Sequence, residues 1–140
     1  MNRFNISETE QRELFVKKAK ETTDKLYYEV PVFCRSVDLV IHNQINNTIT
    51  AIEFKLTDWK RAAKQALSVA ICFDFIEICV PQPKTEEGKN TVKNYCNAYG
   101  IGVYYLDVDT KEILHAVSPQ RIHKIWEIQR TQIIDYLGRR

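Results

Sequence analysis

The chain has 140 residues, 44% hydrophobic and 27% charged, the size and make-up of one domain with a sizeable core. No run approaches the roughly 20 apolar residues that span a bilayer, and residues 1–13 lack the apolar core of a secretory signal, so a cytoplasmic protein is expected. With 20 Lys and Arg against 18 Asp and Glu the net charge is +2, so a polycation is excluded and any charge that binds nucleic acid must be concentrated locally.

Ser7 followed by Glu10 forms a capping-box pattern and predicts a helix over 7–22, with Leu14, Phe15, Val16 and Ala19 toward the core. Residues 25–34 are aromatic and β-branched, which favours a strand. Pro31 cannot donate to a ladder and assigns that strand to an edge. Strands over 36–42 and 48–56 flank Asn46 and Asn47, which can supply the positive φ angles of a tight turn, so the two should pair antiparallel.

Asp58 is placed to cap a helix over 59–72, and 75–80 reads as a buried strand ended by Pro81 and Pro83. A helix over 86–99 stops at Gly100. Residues 101–107 form another apolar strand, with 108–114 as a short hairpin partner. Pro119 is expected to open a last helix through Leu137, with Ile122, Ile125, Trp126, Ile133 and Ile134 on one side. The alternation of helices and strands predicts one α/β domain with a mixed sheet covered by helices. Cys34, Cys72, Cys79 and Cys96 are far apart, without a Cys-x-x-Cys pair, and read as reduced thiols buried like small hydrophobes.

Chemistry is suggested by where the charges interrupt apolar strands. Asp38 is the sole charge in 36–41, and Glu53 and Lys55 interrupt 49–56. Strand side chains alternate, so Glu53 and Lys55 share one face while Ile52, Phe54 and Leu56 occupy the other. The hairpin brings Asp38 within reach of Glu53. Two carboxylates forced together call for a cation, and their hard oxygens suit Mg²⁺ or Mn²⁺. A lysine beside them can orient a water or stabilise charge on a phosphate. The alternative is an exposed pair on the wet face of an antiparallel sheet.

Glu29-Val30-Pro31-Val32, Arg35-Ser36-Val37-Asp38-Leu39-Val40, Ile52-Glu53-Phe54-Lys55 and Ala63-Lys64-Gln65-Ala66 resemble the PD-(D/E)xK nuclease superfamily over most of the chain. Ile78-Cys79-Val80-Pro81 and Gly100-Ile101-Gly102-Val103-Tyr104 look like its closing strands. The sequence departs from the pattern at Val37, where Pro usually precedes the Asp, and at Val69, where some members carry Tyr. The resemblance implies a restriction-endonuclease-like αβββαβ core, here with an extra C-terminal helix. It implies that Asp38, Glu53 and the carbonyl of Phe54 bind metal and that Lys55 serves the water or the phosphate. Gln65 matches a glutamine common on the following helix. A first-helix glutamate often joins such sites, with Glu10 the best match and Glu13 the reserve.

Trp59, Lys60, Arg61 and Lys64 can meet nucleic acid, the cations at phosphates and the indole on a base, or can form a solvated helix face. Arg35 can grip a phosphate or pair with a neighbouring carboxylate, and Glu29 can join the site or serve the fold. The expected function is Mg²⁺-dependent hydrolysis of DNA, with RNA left open. The alternative is a non-catalytic nucleic-acid-binding or protein-interaction module on the same fold. The last helix can pack within the monomer, the simpler expectation, or offer a surface for a homodimer, which would let two sites address both strands of a duplex.

Overall fold

A computed structural model describes residues 6–19 and 24–140. The elements run α1 (Glu8–Ala19), β1 (Lys25–Val32), β2 (Arg35–Asn43), β3 (Thr48–Phe54), α2 (Trp59–Ser68), β4 (Phe75–Pro81), α3 (Glu86–Ala98), β5 (Gly102–Asp107), β6 (Glu112–Val117) and α4 (Glu127–Gly138). One six-stranded sheet has the order β1-β2-β3-β4-β5-β6. β1, β2 and β3 are mutually antiparallel, β3, β4 and β5 run parallel through the α2 and α3 crossovers, and β6 returns antiparallel on β5. This is the expected mixed sheet with helices, compatible with a restriction-endonuclease-like core.

Local chemistry explains most boundaries. Ser7 Oγ accepts from Glu10 N at 3.0 Å and starts α1, whose expected end at 22 lies outside the described residues. Asp58 Oδ1 caps α2 through Arg61 N at 3.2 Å. Gly100 follows α3 at φ +72°, a left-handed position that costs glycine little. In the β2–β3 turn only Asn47 takes a positive φ, +53°, and Asn43 Oδ1 organises the rest by accepting from Ile45 N and Asn46 N.

Four expectations need correction. The helix over 59–72 breaks at Val69, and 70–72 form a separate 3₁₀ turn. β6 lies at Glu112–Val117 rather than 108–114, because Asp107 Oδ1 accepts from Asp109 N and Thr110 N and makes 107–111 a turn. The last helix starts at Glu127, not Pro119. The preceding backbone bonds elsewhere: Gln120 N to Gly100 O, Ile122 N to Asp74 O and Trp126 N to Ile71 O. Cys72, Cys79 and Cys96 are buried as expected, but Cys34 is exposed in the turn after β1.

The sheet separates two cores. On one face Ile49, Ala51, Ile76 and Ile78 pack against Ala62, Ala63 and Ala66 of α2, with Val92, Ile133 and Leu137 behind them. On the other, Ile52, Phe54 and Leu56 pack with Phe15 and Val16 of α1, the Phe15 and Phe54 rings meeting edge to face at 5.6 Å. The three apolar residues around Glu53 and Lys55 thus share a face, as their alternation requires.

Gly102 marks the tightest approach. A Cβ there would lie 2.7 Å from Glu77 Oε1, 2.8 Å from Glu77 Cγ and 2.9 Å from Pro119 Cδ. Glu77 is buried and faces His115 Nε2 at 3.6 Å, and Pro119 is a rigid ring, so neither neighbour yields cheaply. Gly102→Ala is expected to cost about 1–3 kcal/mol in urea unfolding. A change below about 0.5 kcal/mol would show that the contact relaxes freely.

Candidate metal centre

The site forms where β2 and β3 part. Their pairing ends at Leu39↔Ile52, so Asp38 and Glu53 are opposed at the next register position, beyond the last paired residues. There the Asp38 side chain takes over from the missing strand partner, its Oδ2 accepting from Phe54 N at 2.8 Å. On the other side Asp38 faces Glu29, between the pairs Tyr28↔Leu39 and Val30↔Val37. Glu29 holds φ +49°, a strained position for a residue with a side chain, and is fixed by Arg12 Nη1 at 2.8 Å and Ser36 Oγ at 3.0 Å.

Glu53 is 1% exposed, and its Oε1 meets Arg35 Nη2 at 2.8 Å. Burial, the charge of Asp38 and a hydrogen bond with Asp38 push the Glu53 carboxyl up to about 8, while Arg35 and Lys55 pull it down. The two acids therefore converge, with the Lys55 ammonium near enough to act on Glu53. Lys55 lies just past β3, where its N donates to Cys79 O at 3.2 Å and its carbonyl accepts from Gln11 Nε2 at 3.2 Å. Gln11 is fully buried and also donates to Cys79 O. It escaped notice in the sequence because its position on α1 reads as polar surface. A buried amide opposite two carbonyls is recognisable only once the helix is docked.

A small pocket beside Asp38 and Phe54 is completed by Glu8, Thr9, Arg12 and Glu29. Thus the first-helix acid lining the pocket with Asp38 is Glu8. Glu10 instead pairs with Lys111 Nζ at 3.3 Å, and Glu13 is exposed. Gln65 is half-buried on α2, its carbonyl accepting from Ser68 Oγ, the atom that Arg35 Nη1 reaches at 3.4 Å. Lys60, Arg61 and Lys64 are exposed on α2. Trp59 meets Tyr95 edge to face at 5.3 Å and lines a groove of about 810 Å³ that begins at Leu56, one residue beyond Lys55. That groove also carries Asp58, Glu87, Asp107 and Asp109, so it is not a uniformly basic channel.

Two solved structures are similar. The SPO1766 protein of unknown function from Silicibacter pomeroyi superposes with a TM-score of 0.66 at 15% identity, over 96% of this chain and 89% of that one. A repair endonuclease from Pyrococcus abyssi superposes with a TM-score of 0.54 at 20% identity, over 73% of this chain and 47% of that one. This chain thus spans about half the length of the endonuclease it matches. At these identities the likeness is one of fold. No protein-family profile and no curated protein matches the sequence.

The donors fit a small divalent cation. Two hard carboxylates meet at a place where one is almost wholly desolvated, and a cation of the protein's own, Arg35, already stands against it. Among the described residues no three His, Cys, Asp or Glu side chains form a ready cage. A cation would therefore take its other ligands from water, backbone carbonyl and substrate, as Mg²⁺ commonly does. Among the described residues, too, no helix is long and apolar enough to cross a membrane.

Proposed function

We propose that the protein is a metal-dependent endonuclease that hydrolyses phosphodiester bonds in DNA, with Asp38 and Glu53 as the metal-binding acids and Lys55 beside the reacting phosphate. The observation that carries this reading is the meeting of Asp38 and Glu53 at the point where their strands part. The superposition on a repair endonuclease supports it at the level of fold.

When bound, Mg²⁺ or Mn²⁺ would lower the pKa of a water and offset charge on the phosphate. The chain's own contributions can be read from its geometry. Asp38 is oriented by Phe54 N, which engages its Oδ2. Glu53 sits in a water-poor place where, once ionised, its charge would act strongly. The position of Lys55 is fixed through both its backbone N and its carbonyl, which suits an ammonium meant to hold one phosphate oxygen. The carbonyl of Phe54, the residue between Glu53 and Lys55 in sequence, is the expected backbone ligand. Glu8, which lines the pocket with Asp38, is proposed in place of Glu10 as the first-helix acid that joins through water. Gln65, behind Arg35 on α2, is assigned a supporting role. Lys60, Arg61 and Lys64 supply the local positive charge that a net charge of +2 requires, and Trp59 offers a ring at the groove.

The test is a cleavage assay on supercoiled, linear, single-stranded and branched DNA, and on RNA, with Mg²⁺ or Mn²⁺. Wild type is expected to cut at least one form, and Asp38→Asn to cut it about 10²–10³-fold more slowly. Equal rates for the two proteins, or no cleavage of any substrate by wild type, would overturn the reading. Sedimentation of the protein with and without duplex would show whether two copies act together.

A further inference from the structure

The Arg35–Glu53 contact has the form of a temporary arrangement. Arg35 opens β2, and its backbone is held in register by the Val32↔Arg35 pair, so only its side chain is free to relocate. A guanidinium carries five donors. Here one makes a close contact, Nη2 to Glu53 Oε1 at 2.8 Å, and one a long contact, Nη1 to Ser68 Oγ at 3.4 Å. Nε is buried without a hydrogen-bond partner. The side chain is still about a quarter exposed, whereas Glu53 is closed off from water.

Charge gives the same result. With both acids ionised, Asp38 and Glu53 contribute two negative charges against the two positive charges of Arg35 and Lys55, so even then the site is formally neutral before a metal binds. A divalent ion approaching it meets little net attraction and finds one Glu53 oxygen already taken. A phosphodiester offers Arg35 a better partner, because its paired oxygens match the guanidinium fork.

We propose that Arg35 is a placeholder cation that holds Glu53 in the free protein and moves to a nucleic-acid phosphate on binding, so that metal and nucleic acid bind cooperatively. This rests on the nuclease reading above and adds to it an order of assembly: the metal is bound firmly only when substrate is present. By linkage the metal must strengthen nucleic-acid binding by the same factor.

The experiment is calorimetric titration of Mn²⁺ into the full chain, with and without a phosphorothioate oligonucleotide that resists cleavage. Wild type is expected to bind Mn²⁺ about tenfold or more tightly when the oligonucleotide is present. Arg35→Gln is expected to bind Mn²⁺ more tightly than wild type in its absence, and to gain less than about twofold from it. Arg35→Lys keeps the charge and should return the weak binding of the free protein, an effect a merely structural arginine would not produce. If Arg35→Gln, still folded by circular dichroism, binds Mn²⁺ no more tightly than wild type, or keeps the full coupling, the placeholder role is lost while the nuclease reading stands. If Glu53→Ala binds Mn²⁺ as well as wild type does, the metal site itself is wrong and both fall.

Discussion

Glu53→Gln is expected to lower metal-dependent cleavage by about 10³-fold or more, and at the same time to make the metal-free protein less sensitive to pH. The first effect follows from losing the anionic ligand that has the least access to water. The second follows from the same burial. In the fold the Glu53 carboxyl titrates at about 8, against an ordinary 4.5. The folded state therefore binds this proton more tightly than the unfolded chain. Below pH 4.5 both states are protonated and the contribution to stability is complete. Between pH 4.5 and 8 the unfolded chain gives up its proton while the fold must keep it, so stability falls through that window. The loss, on the order of 5 kcal/mol, levels off above it.

His115 is also raised, chiefly by its hydrogen bond to Glu77, and its contribution is lost in the same direction above its ordinary 6.5. The difference between wild type and Glu53→Gln isolates the carboxyl, because His115 is common to both. Unfolding by urea at pH 5 and pH 8.5, in buffer with a chelator, should show wild type losing more stability than the variant. Adding Mn²⁺ should stabilise wild type more at pH 8.5, where the ligand is ionised, and leave Glu53→Gln largely unmoved. Parallel pH curves for the two proteins would mean that Glu53 is not desolvated as its surroundings imply.

Asp74→Ala is expected to destabilise the protein by about 3–5 kcal/mol without acting on the site. Asp74 is buried just before β4. Its carboxylate accepts from Arg130 Nε and Nη2, the latter at 3.0 Å, from Arg121 Nη1 at 3.3 Å and from Ile49 N at 2.8 Å. Its carbonyl accepts from Ile122 N, so one residue ties the start of β3 to the 121–122 segment and to α4. Removal leaves a largely buried Arg130 and a buried backbone N–H without that partner, the circumstance in which losing half of an ion pair is most costly. Asp74→Asn keeps the bond to Ile49 N and should cost less. A cycle with Arg130→Met, followed by urea unfolding, should give a coupling of about 1–3 kcal/mol. A cost below about 1 kcal/mol for Asp74→Ala would show that the C-terminal helix is held by its other contacts, among them Arg130 to the Asn47 carbonyl and Trp126 N to Ile71 O.

The succession of elements and the hairpin were legible because local chemistry and period agree there. Alternation around Glu53 sorts the faces of β3, whereas on β2 it breaks at Asp38, with Val37 and Leu39 in different cores; Asn47 takes the expected positive φ and Asn46 does not, and Pro31 marks the edge strand. What stayed hidden depends on helical phase and on partners distant in sequence. Glu8 and Glu10 are two residues apart on α1, about 200° around the axis, and only the docking of Phe15 and Val16 decides which one meets the pocket. The Asp74–Arg130 clamp joins residues 56 apart, and nothing local marks either one. The start of α4 was misjudged because Pro119 is a good first helical residue, whereas the backbone after it is committed to Gly100, Asp74 and Ile71. Arg35 offered two partners in the sequence, and the structure supplies one of them, Glu53.

The outer rim of β1 has a consequence for behaviour at high concentration. Glu29 turns the strand out of regular extension at φ +49°, and two residues on Pro31 lacks an N–H. A foreign strand laid along this rim would find its ladder interrupted after a few residues, which discourages end-on stacking of sheets into fibrils. The same kink that opposes Glu29 to Asp38 thus also guards the molecule against templated aggregation.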